Sequence, residues 1–445
     1  MVPKPSTVSA PCGPVLVDDD GVVVRARGIP YATAKRFAAP VSVPDWETPV
    51  NGTVRGPACP QNESRLKFLN GRVAEDLASS EACLVVSVTA PAFADGRPVM
   101  VWLHGGAYQT GGGEAPKYDP DALVREGNVV VVNVTYRLGV FGYLTPDSAA
   151  ATNAGLRDQI AALRWVQRNI AAFGGDPSNV TVFGQSAGAD SVLCLLVADG
   201  TEGLFHRAIM QSAPLGLRLG RHLWKGISPA VRAAFRDALA GADPRDATVA
   251  QLLTAQTAAA AAASRSHGFA GVMPFAFAPT PGAAPLPPAR EWGHRLAEAA
   301  GRVDLMVGYT RYDAVALIAM RAGPNRLMRL GRGGTAVLKA LSVVPTARIF
   351  GRGPIRRLAA VWRRHGGQLL IFRVDWSPPG APLGACHCIE LPLLLGAPGS
   401  WSDAPLLGRM STTVDNQSRG EVARKHWASF AHDGVSATGT ATLRI

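Results

Sequence analysis

Apolar and polar positions along the chain follow two different periods. Pro98-Val99-Met100-Val101-Trp102-Leu103 is an unbroken apolar run ending at His104-Gly105-Gly106, and Asn128 to Val134 is a second, ending at Tyr136-Arg137. Runs this short, stopped by glycine or polar residues, predict buried strands. Between Asn153 and Phe173 the apolar residues Leu156, Ile160, Leu163, Trp165, Val166 and Ile170 recur at helical spacing, and Gly174-Gly175-Asp176-Pro177 stops them. Val180-Thr181-Val182-Phe183 predicts another strand, which turns at Gly184 into a helix from Ala187 to Val197. Strand, helix, strand, helix is the order of a mostly parallel central sheet with helices on both faces.

From Ser228 to Arg265 the composition shifts to Ala, Arg and Asp at helical spacing, and a Pro-rich loop follows from Pro279 to Pro288. A strand at Val303 to Val307, a helix-rich section from Ala314 to Arg364 and a strand at Gln368 to Val374 complete the pattern. Residues 1–445 read as a single α/β domain, with 214–300 and 314–366 as helical insertions forming a cap over the sheet's carboxyl edge.

Composition narrows the function classes. Of the 445 residues, 47% are hydrophobic and 18% charged, which suits a globular chain with a large core. The formal charge of +12 and pI near 9.8 favour anionic surroundings, but the Arg residues are spread along the chain, so nucleic acid is not expected as a partner. Arg352-Gly353-Pro354-Ile355-Arg356-Arg357 and Arg363-Arg364 read either as a basic patch or as a solvated helix face. The opening Met1-Val2-Pro3-Lys4-Pro5 has no apolar core of a secretory signal, and no stretch reaches the roughly 18 apolar residues of a spanning helix. A cytoplasmic, monomeric protein without a membrane span is the expectation. The six cysteines lack the paired C-x-x-C spacing of a zinc site, and Cys386-His387-Cys388 on an extended segment would aim His387 away from its neighbours, so no metal is expected.

Chemistry enters at Gly184-Gln185-Ser186-Ala187-Gly188. In G-x-S-x-G the serine sits on a tight strand-to-helix turn, and the glycines are there because side chains would collide where the backbone doubles back. The helix beyond Ser186 points free N–H groups at the position of a developing oxyanion. His104-Gly105-Gly106-Ala107-Tyr108, directly after a strand and upstream of the serine, is placed like a second oxyanion loop.

An ordered series of motifs resembles the type B carboxylesterase family, which includes bacterial para-nitrobenzyl esterases. It comprises Gly28-Ile29-Pro30-Tyr31-Ala32, Cys59-Pro60-Gln61, Ser80-Glu81-Ala82-Cys83-Leu84, Tyr136-Arg137-Leu138-Gly139, Asn153-Ala154-Gly155-Leu156-Arg157-Asp158-Gln159, Phe173-Gly174-Gly175-Asp176-Pro177 and Phe205-His206-Arg207-Ala208. The resemblance implies the α/β-hydrolase fold and hydrolysis of small to medium carboxylic esters through a serine acyl-enzyme, with no cofactor.

It further implies a triad of Ser186, Asp313 and His387 and oxyanion donors at Gly106, Ala107 and Ala187. Asp313, in Gly308-Tyr309-Thr310-Arg311-Tyr312-Asp313-Ala314, stands where the family usually has Glu, so its loop must sit closer to His387 or the contact must be looser. Asp304 and Asp375 are poorer substitutes. His387 opens His387-Cys388-Ile389-Glu390-Leu391-Pro392. His104 is expected to shape its loop without transferring protons, and Gln185 replaces the acidic residue often found before the serine. Cys59 and Cys83 match positions disulfide-bonded in secreted relatives, a bridge that a cytoplasmic setting would leave reduced. His426-Trp427-Ala428-Ser429-Phe430 resembles the family's terminal helix. Two other readings fit the same triad or fold: an acyltransferase and a non-catalytic binding protein.

Overall fold

The structure, a computed structural model, describes residues 4–144, 152–219, 227–266, 276–321, 326–408, 414–435 and 442–445. Twelve strands form its main sheet: β1 (Lys4–Ala10), β2 (Gly13–Asp19), β3 (Val23–Pro30), β4 (Val50–Asn51), β5 (Val85–Pro91), β6 (Arg97–Leu103), β7 (Val130–Val134), β8 (Gly175–Gln185), β9 (Arg207–Gln211), β10 (Asp304–Thr310), β11 (Leu369–Val374) and β12 (Thr442–Arg444). Across the sheet they run β1-β2-β3-β5-β7-β6-β8-β9-β10-β11-β12, with β4 beside β2. From β7 to β12 every neighbouring pair is parallel, and from β1 to β7 every one is antiparallel. This is the α/β-hydrolase fold.

Burial explains which strands were legible. All five residues of β7 are buried, as are the last six of β6, because helices cover both faces of the parallel part. In β2 only Val15 and Val17 are buried, and in β3 only Val23, Ala26 and Ile29, as expected of strands packed on one side. The strands expected at 98–103, 128–134, 180–183, 303–307 and 368–374 all form, extended at one or both ends or trimmed by one or two residues. The antiparallel edge, β9 and β12 were not expected as strands from the sequence.

The helix expected from Ala187 to Val197 forms over those residues, here α1, and is buried throughout. Within the expected insertions lie α2 (Pro229–Ala238), α3 (Val249–Ser266), α4 (Trp292–Ala300), α5 (Ala314–Ala319), α6 (Gly331–Ile349) and α7 (Arg352–Arg364). Their residues 220–226, 267–275 and 322–325 lie outside the described residues. The expected terminal helix forms as α8 (Val414–Asp433). No helix among the described residues is long and apolar enough to cross a membrane.

Two buried ion pairs lock segments around the sheet. Arg137 Nη2 meets Asp158 Oδ1 at 2.6 Å, tying the loop after β7 to the helix Ala154–Asn169. Asp190, in the first turn of α1, accepts from Arg218 Nη2 at 2.6 Å and from the Tyr108 hydroxyl at 2.7 Å. Arg218 also donates through Nη1 to the Pro279 carbonyl at 2.9 Å. Removing one member of such a pair leaves a buried charge uncompensated, at a cost of about 3–5 kcal/mol. Asp190→Ala is therefore expected to lose about that much stability in urea denaturation, and adding Arg218→Met to it to restore a measurable part.

Candidate active site

At the end of β8 the chain makes the turn that G-x-S-x-G demands. Ser186 has φ 56° and ψ −119°, a combination most side chains avoid, and donates its N–H to the Gln211 carbonyl at 2.9 Å. A Cβ placed on Gly188 would lie 1.9 Å from the Leu103 carbonyl oxygen, and one on Gly184 2.7 Å from the same atom. No side chain fits at either position, so Ser186 is carried on a backbone pressed against the end of β6 and stands half-buried at a cavity wall.

The loop after β6 is held in an equally unusual conformation. Gly106, Ala107 and Tyr108 have φ of 113°, 56° and 60°. Two of the three are not glycine, so the surroundings must hold them there. Gly139 N–H donates to the Tyr108 carbonyl at 2.6 Å, and the Tyr108 hydroxyl is anchored on Asp190. Among the described residues no acceptor in the chain meets the N–H of Gly106 or Ala107, and Ala187 supplies the first N–H of α1. His104 is buried, stacked on Tyr136 with ring centroids 4.5 Å apart, and its Nδ1–H donates to the Gly105 carbonyl at 2.8 Å. Burial pushes its pKa down to about 4, which keeps it neutral and suits the scaffold role expected of it.

Asp313 and His387 meet directly: His387 Nδ1–H donates to Asp313 Oδ1, and both side chains are buried. Of the two alternatives raised by the shorter Asp, the structure has the closer loop. Tyr312 N–H donates to the Ala385 carbonyl at 2.9 Å, and Tyr312 and Cys386 form a parallel bridge, which draws the two loops together. Asp313 Oδ2 accepts from Thr310 N–H at 3.0 Å. Asp304 and Asp375 instead face Arg207 and Arg373. The extended segment expected at Cys386-His387-Cys388 is a turn, with Cys388 at φ 73°. His387 in that turn is buried against Asp313, and a helix over Leu391–Leu394 begins three residues after Cys388. All six cysteines are free, with Cys59 and Cys83 buried side by side and Cys59 Sγ accepting from Leu138 N–H at 3.3 Å.

Two partners of His387 escaped the sequence reading. With Nδ1–H given to Asp313, Nε2 is the acceptor, and it takes a hydrogen bond from Gln185 Nε2 at 3.2 Å, in the place where a serine hydroxyl would bind. The motif alone gave no sign that the residue before the serine reaches the imidazole. Glu390, three residues after His387, is also buried; one carboxylate oxygen is within 3.5 Å of Gln211 Nε2 and the other has no partner among the described residues. Burial and the nearby Asp313 charge push its pKa up to about 7. For His387 burial acts downward, but the Asp313 charge and hydrogen bond, with Glu390 adding to them, raise its pKa overall.

A cavity of about 520 Å³ opens onto this cluster. Ser186, His387, Gly106 and Ala107 line it, together with Thr257 and Ala260 of α3, Leu317 of α5 and Arg65.

Comparison with known proteins gives consistent matches. The model of the carboxylesterase family matches residues 17–332. A probable N-octanoylanthranilate hydrolase of Rhodococcus erythropolis is 40% identical over 96% of this chain and 93% of its own length. The para-nitrobenzyl esterase of Bacillus subtilis is 31% identical over 97% of this chain and 90% of its own. A solved para-nitrobenzyl esterase superimposes with a TM-score of 0.78 at 29% identity, covering 96% of this chain and 91% of that one.

The surroundings of His387 predict opposite pH shifts. Glu390→Gln removes a charge that favours imidazolium and lowers the His387 pKa followed by NMR titration, whereas Gln185→Glu sets a carboxylate against Nε2 and raises it. Stability gives an independent check. Because the Glu390 pKa rises on folding, its contribution is fully present below the unfolded value and is lost as pH rises to about 7. Urea denaturation at pH values on either side of that window should show wild type losing more stability than Glu390→Gln as pH rises.

Proposed function

Since the chain belongs to the carboxylesterase family and hydrolyses carboxylic esters, we propose that Ser186 is its nucleophile, His387 its general base and acid, and Asp313 the group that orients and stabilises the imidazolium. The N–H groups of Gly106, Ala107 and Ala187 serve as oxyanion donors. The observation that carries this reading is the single cavity exposing Ser186, His387 and the strained Gly106–Ala107 backbone together.

Catalysis begins when the Ser186 hydroxyl replaces the Gln185 amide at His387 Nε2. The serine oxygen then attacks the acyl carbonyl as its proton passes to Nε2, and the tetrahedral oxyanion is held by the three N–H groups, each worth about 3–4 kcal/mol of barrier by analogy with oxyanion donors elsewhere. Collapse expels the alcohol, which takes the proton from Nε2. Water, deprotonated by His387, attacks the acyl-enzyme, and the carboxylic acid leaves as Ser186 regains its proton. The chemistry needs no metal or organic cofactor. The segments 214–300 and 314–366 act as a cap, since α3 and α5 supply cavity walls. The cavity volume suits small to medium esters. Every group in this scheme comes from one chain, in keeping with a monomer, and the six free cysteines suit a cytoplasmic setting.

A second substrate class is favoured by Arg65. It lies at the cavity lining, where surrounding protein partly desolvates it and lowers its pKa, and no carboxylate pairs with it among the described residues. Glu63, also at the lining, pairs instead with Lys67. With neutral Gln185 beside the serine, this arrangement favours a substrate carrying a carboxylate, as the N-octanoylanthranilate named for the Rhodococcus relative does. For an amide of that kind His387 would hand its proton to the leaving amine.

Ser186→Ala should lower kcat on p-nitrophenyl esters by at least about a thousandfold and abolish labelling by a fluorophosphonate. Retained activity in that variant would refute the assignment. Asp313→Asn should cost about 10⁴-fold in kcat with little change in KM. Arg65→Met should lower kcat/KM for an N-acylanthranilate at least about tenfold relative to the matching N-acylanilide, which lacks the carboxylate. Equal losses on both amides would exclude Arg65 as the carboxylate site.

A further inference from the structure

The chain's surplus of positive charge has a single address. Residues 314–374 contain twelve Lys and Arg and no Asp or Glu; with 45 basic and 33 acidic residues in all, the rest of the chain carries 33 of each. Elsewhere, buried or surface ion pairs occupy many of the cations. Here only Arg373 is paired, with Asp375. Arg321, Arg326, Arg329, Arg332, Lys339, Arg348, Arg352, Arg356, Arg357, Arg363 and Arg364 meet no carboxylate among the described residues, and all of them except Lys339 are exposed. Among the described residues the only polar or aromatic contacts of these side chains are Arg357 donating to the Leu219 carbonyl at 3.1 Å and Lys339 lying 5.9 Å over the Tyr312 ring.

The same segment exposes large aliphatic side chains. Leu330, Val337, Leu341, Val343 and Val344 are between 48% and 69% exposed, half of the large exposed apolar residues in the described chain. Val337, Leu341 and Val344 follow the i, i+4, i+7 spacing that aligns them in one stripe on α6, and Arg348 extends that stripe. In α7 the buried residues are Pro354, Ile355, Leu358, Ala359 and Trp362, which leaves Arg352, Arg356 and Arg363 aligned on the outer side.

We infer that α6 and α7 form a docking face for an anionic lipid surface. Unpaired arginines supply attraction to phosphate headgroups, and the aliphatic stripe supplies the shallow apolar insertion that distinguishes an interfacial helix from a merely basic one. A nucleic acid would use the arginines but gain nothing from exposed valines and leucine. The location adds a consequence: α6 packs on α5, whose Leu317 lines the catalytic cavity, so lipid contact brings the cavity wall close to a source of amphiphilic substrate. This inference does not depend on which residues carry out the hydrolysis.

The full-length protein, mixed with vesicles of phosphatidylcholine alone or with added phosphatidylglycerol, is expected to co-sediment only with the anionic vesicles, and less as salt rises. A triple Arg356→Glu, Arg363→Glu, Arg364→Glu variant should lose at least about tenfold in vesicle affinity. A Val337→Ser, Leu341→Ser, Val344→Ser variant should also bind more weakly, while both keep wild-type turnover of p-nitrophenyl acetate, which reports that they are folded. Failure of the wild type to bind anionic vesicles would overturn the inference. So would binding that is insensitive to the aliphatic changes but matched by equal affinity for a DNA duplex, since that pattern marks a general polyanion surface.

Discussion

The structure turns on one close approach, the end of β6 lying against the turn at Ser186. Gly184 pairs in register with Leu103, and a Cβ on Gly188 would fall 1.9 Å from the Leu103 carbonyl oxygen. The serine turn and the Gly106–Ala107 loop therefore leave the sheet at the same level, side by side. The same registration runs on through Gln211 opposite Gly308, so Asp313 also emerges at this edge. Parallel pairing thus does what no local sequence signal does alone: it brings groups more than 70 residues apart in the chain to one rim.

That approach is maintained under strain. Ser186, Ala107 and Tyr108 all sit at positive φ without being glycine, each at a cost of order 1–3 kcal/mol that surrounding contacts must offset. The Asp190 carboxylate is central to the offset, since it binds Arg218 and the Tyr108 hydroxyl and so couples the first turn of α1 to the neighbouring loop. Around His387 the arrangement avoids extra negative charge. The residue touching Nε2 is an amide, and Glu390 is held toward its protonated form by burial and by Asp313. A second fixed carboxylate at the imidazole would hold it as imidazolium, the form unable to accept the serine proton.

Much of this was legible because it rests on continuous apolar runs and on glycines that have no substitute. The strand-to-helix turn at Ser186, α1 and the parallel strands β6, β7, β8, β10 and β11 follow from such signals, whereas β9 was met only inside a family motif. The antiparallel edge was missed for mixed reasons. Lys4-Pro5-Ser6-Thr7-Val8 is too polar to announce a strand, whereas Val85-Val86-Ser87-Val88 carries a β-branched signal as clear as that of β7 and was passed over. The placement of Asp313 was named but its reach was not, because the parallel bridge from Tyr312 to Cys386 is a tertiary event. Gln185 and Glu390 were visible as letters in motifs, yet the hydrogen bond of the first to His387 and the electrostatic effect of the second on it depend on a turn where an extended segment was expected.

Strand register and insertion helices supply different layers of the active site. Ser186, Asp313 and the Gly106–Ala107 loop hang from the rim of the sheet, where a slip of one residue would turn a strand's buried face outward and is therefore strongly resisted. Cavity walls come from α3 and α5, whose buried apolar side chains join the hydrophobic core and tolerate repacking. Substitutions in the walls can thus change which acyl or leaving group fits without disturbing the contact between Leu103 and Gly188. The charge distribution obeys the same division. Twelve unbalanced cations are confined to 314–374, and the remainder of the chain, including the environment of Ser186, carries no net formal charge. A long-range field raised by the segment attracts anions to the molecule as a whole, but between exposed charges it falls off over about 8–10 Å at ordinary ionic strength, and the charges that shift His387 are those of Asp313 and Glu390.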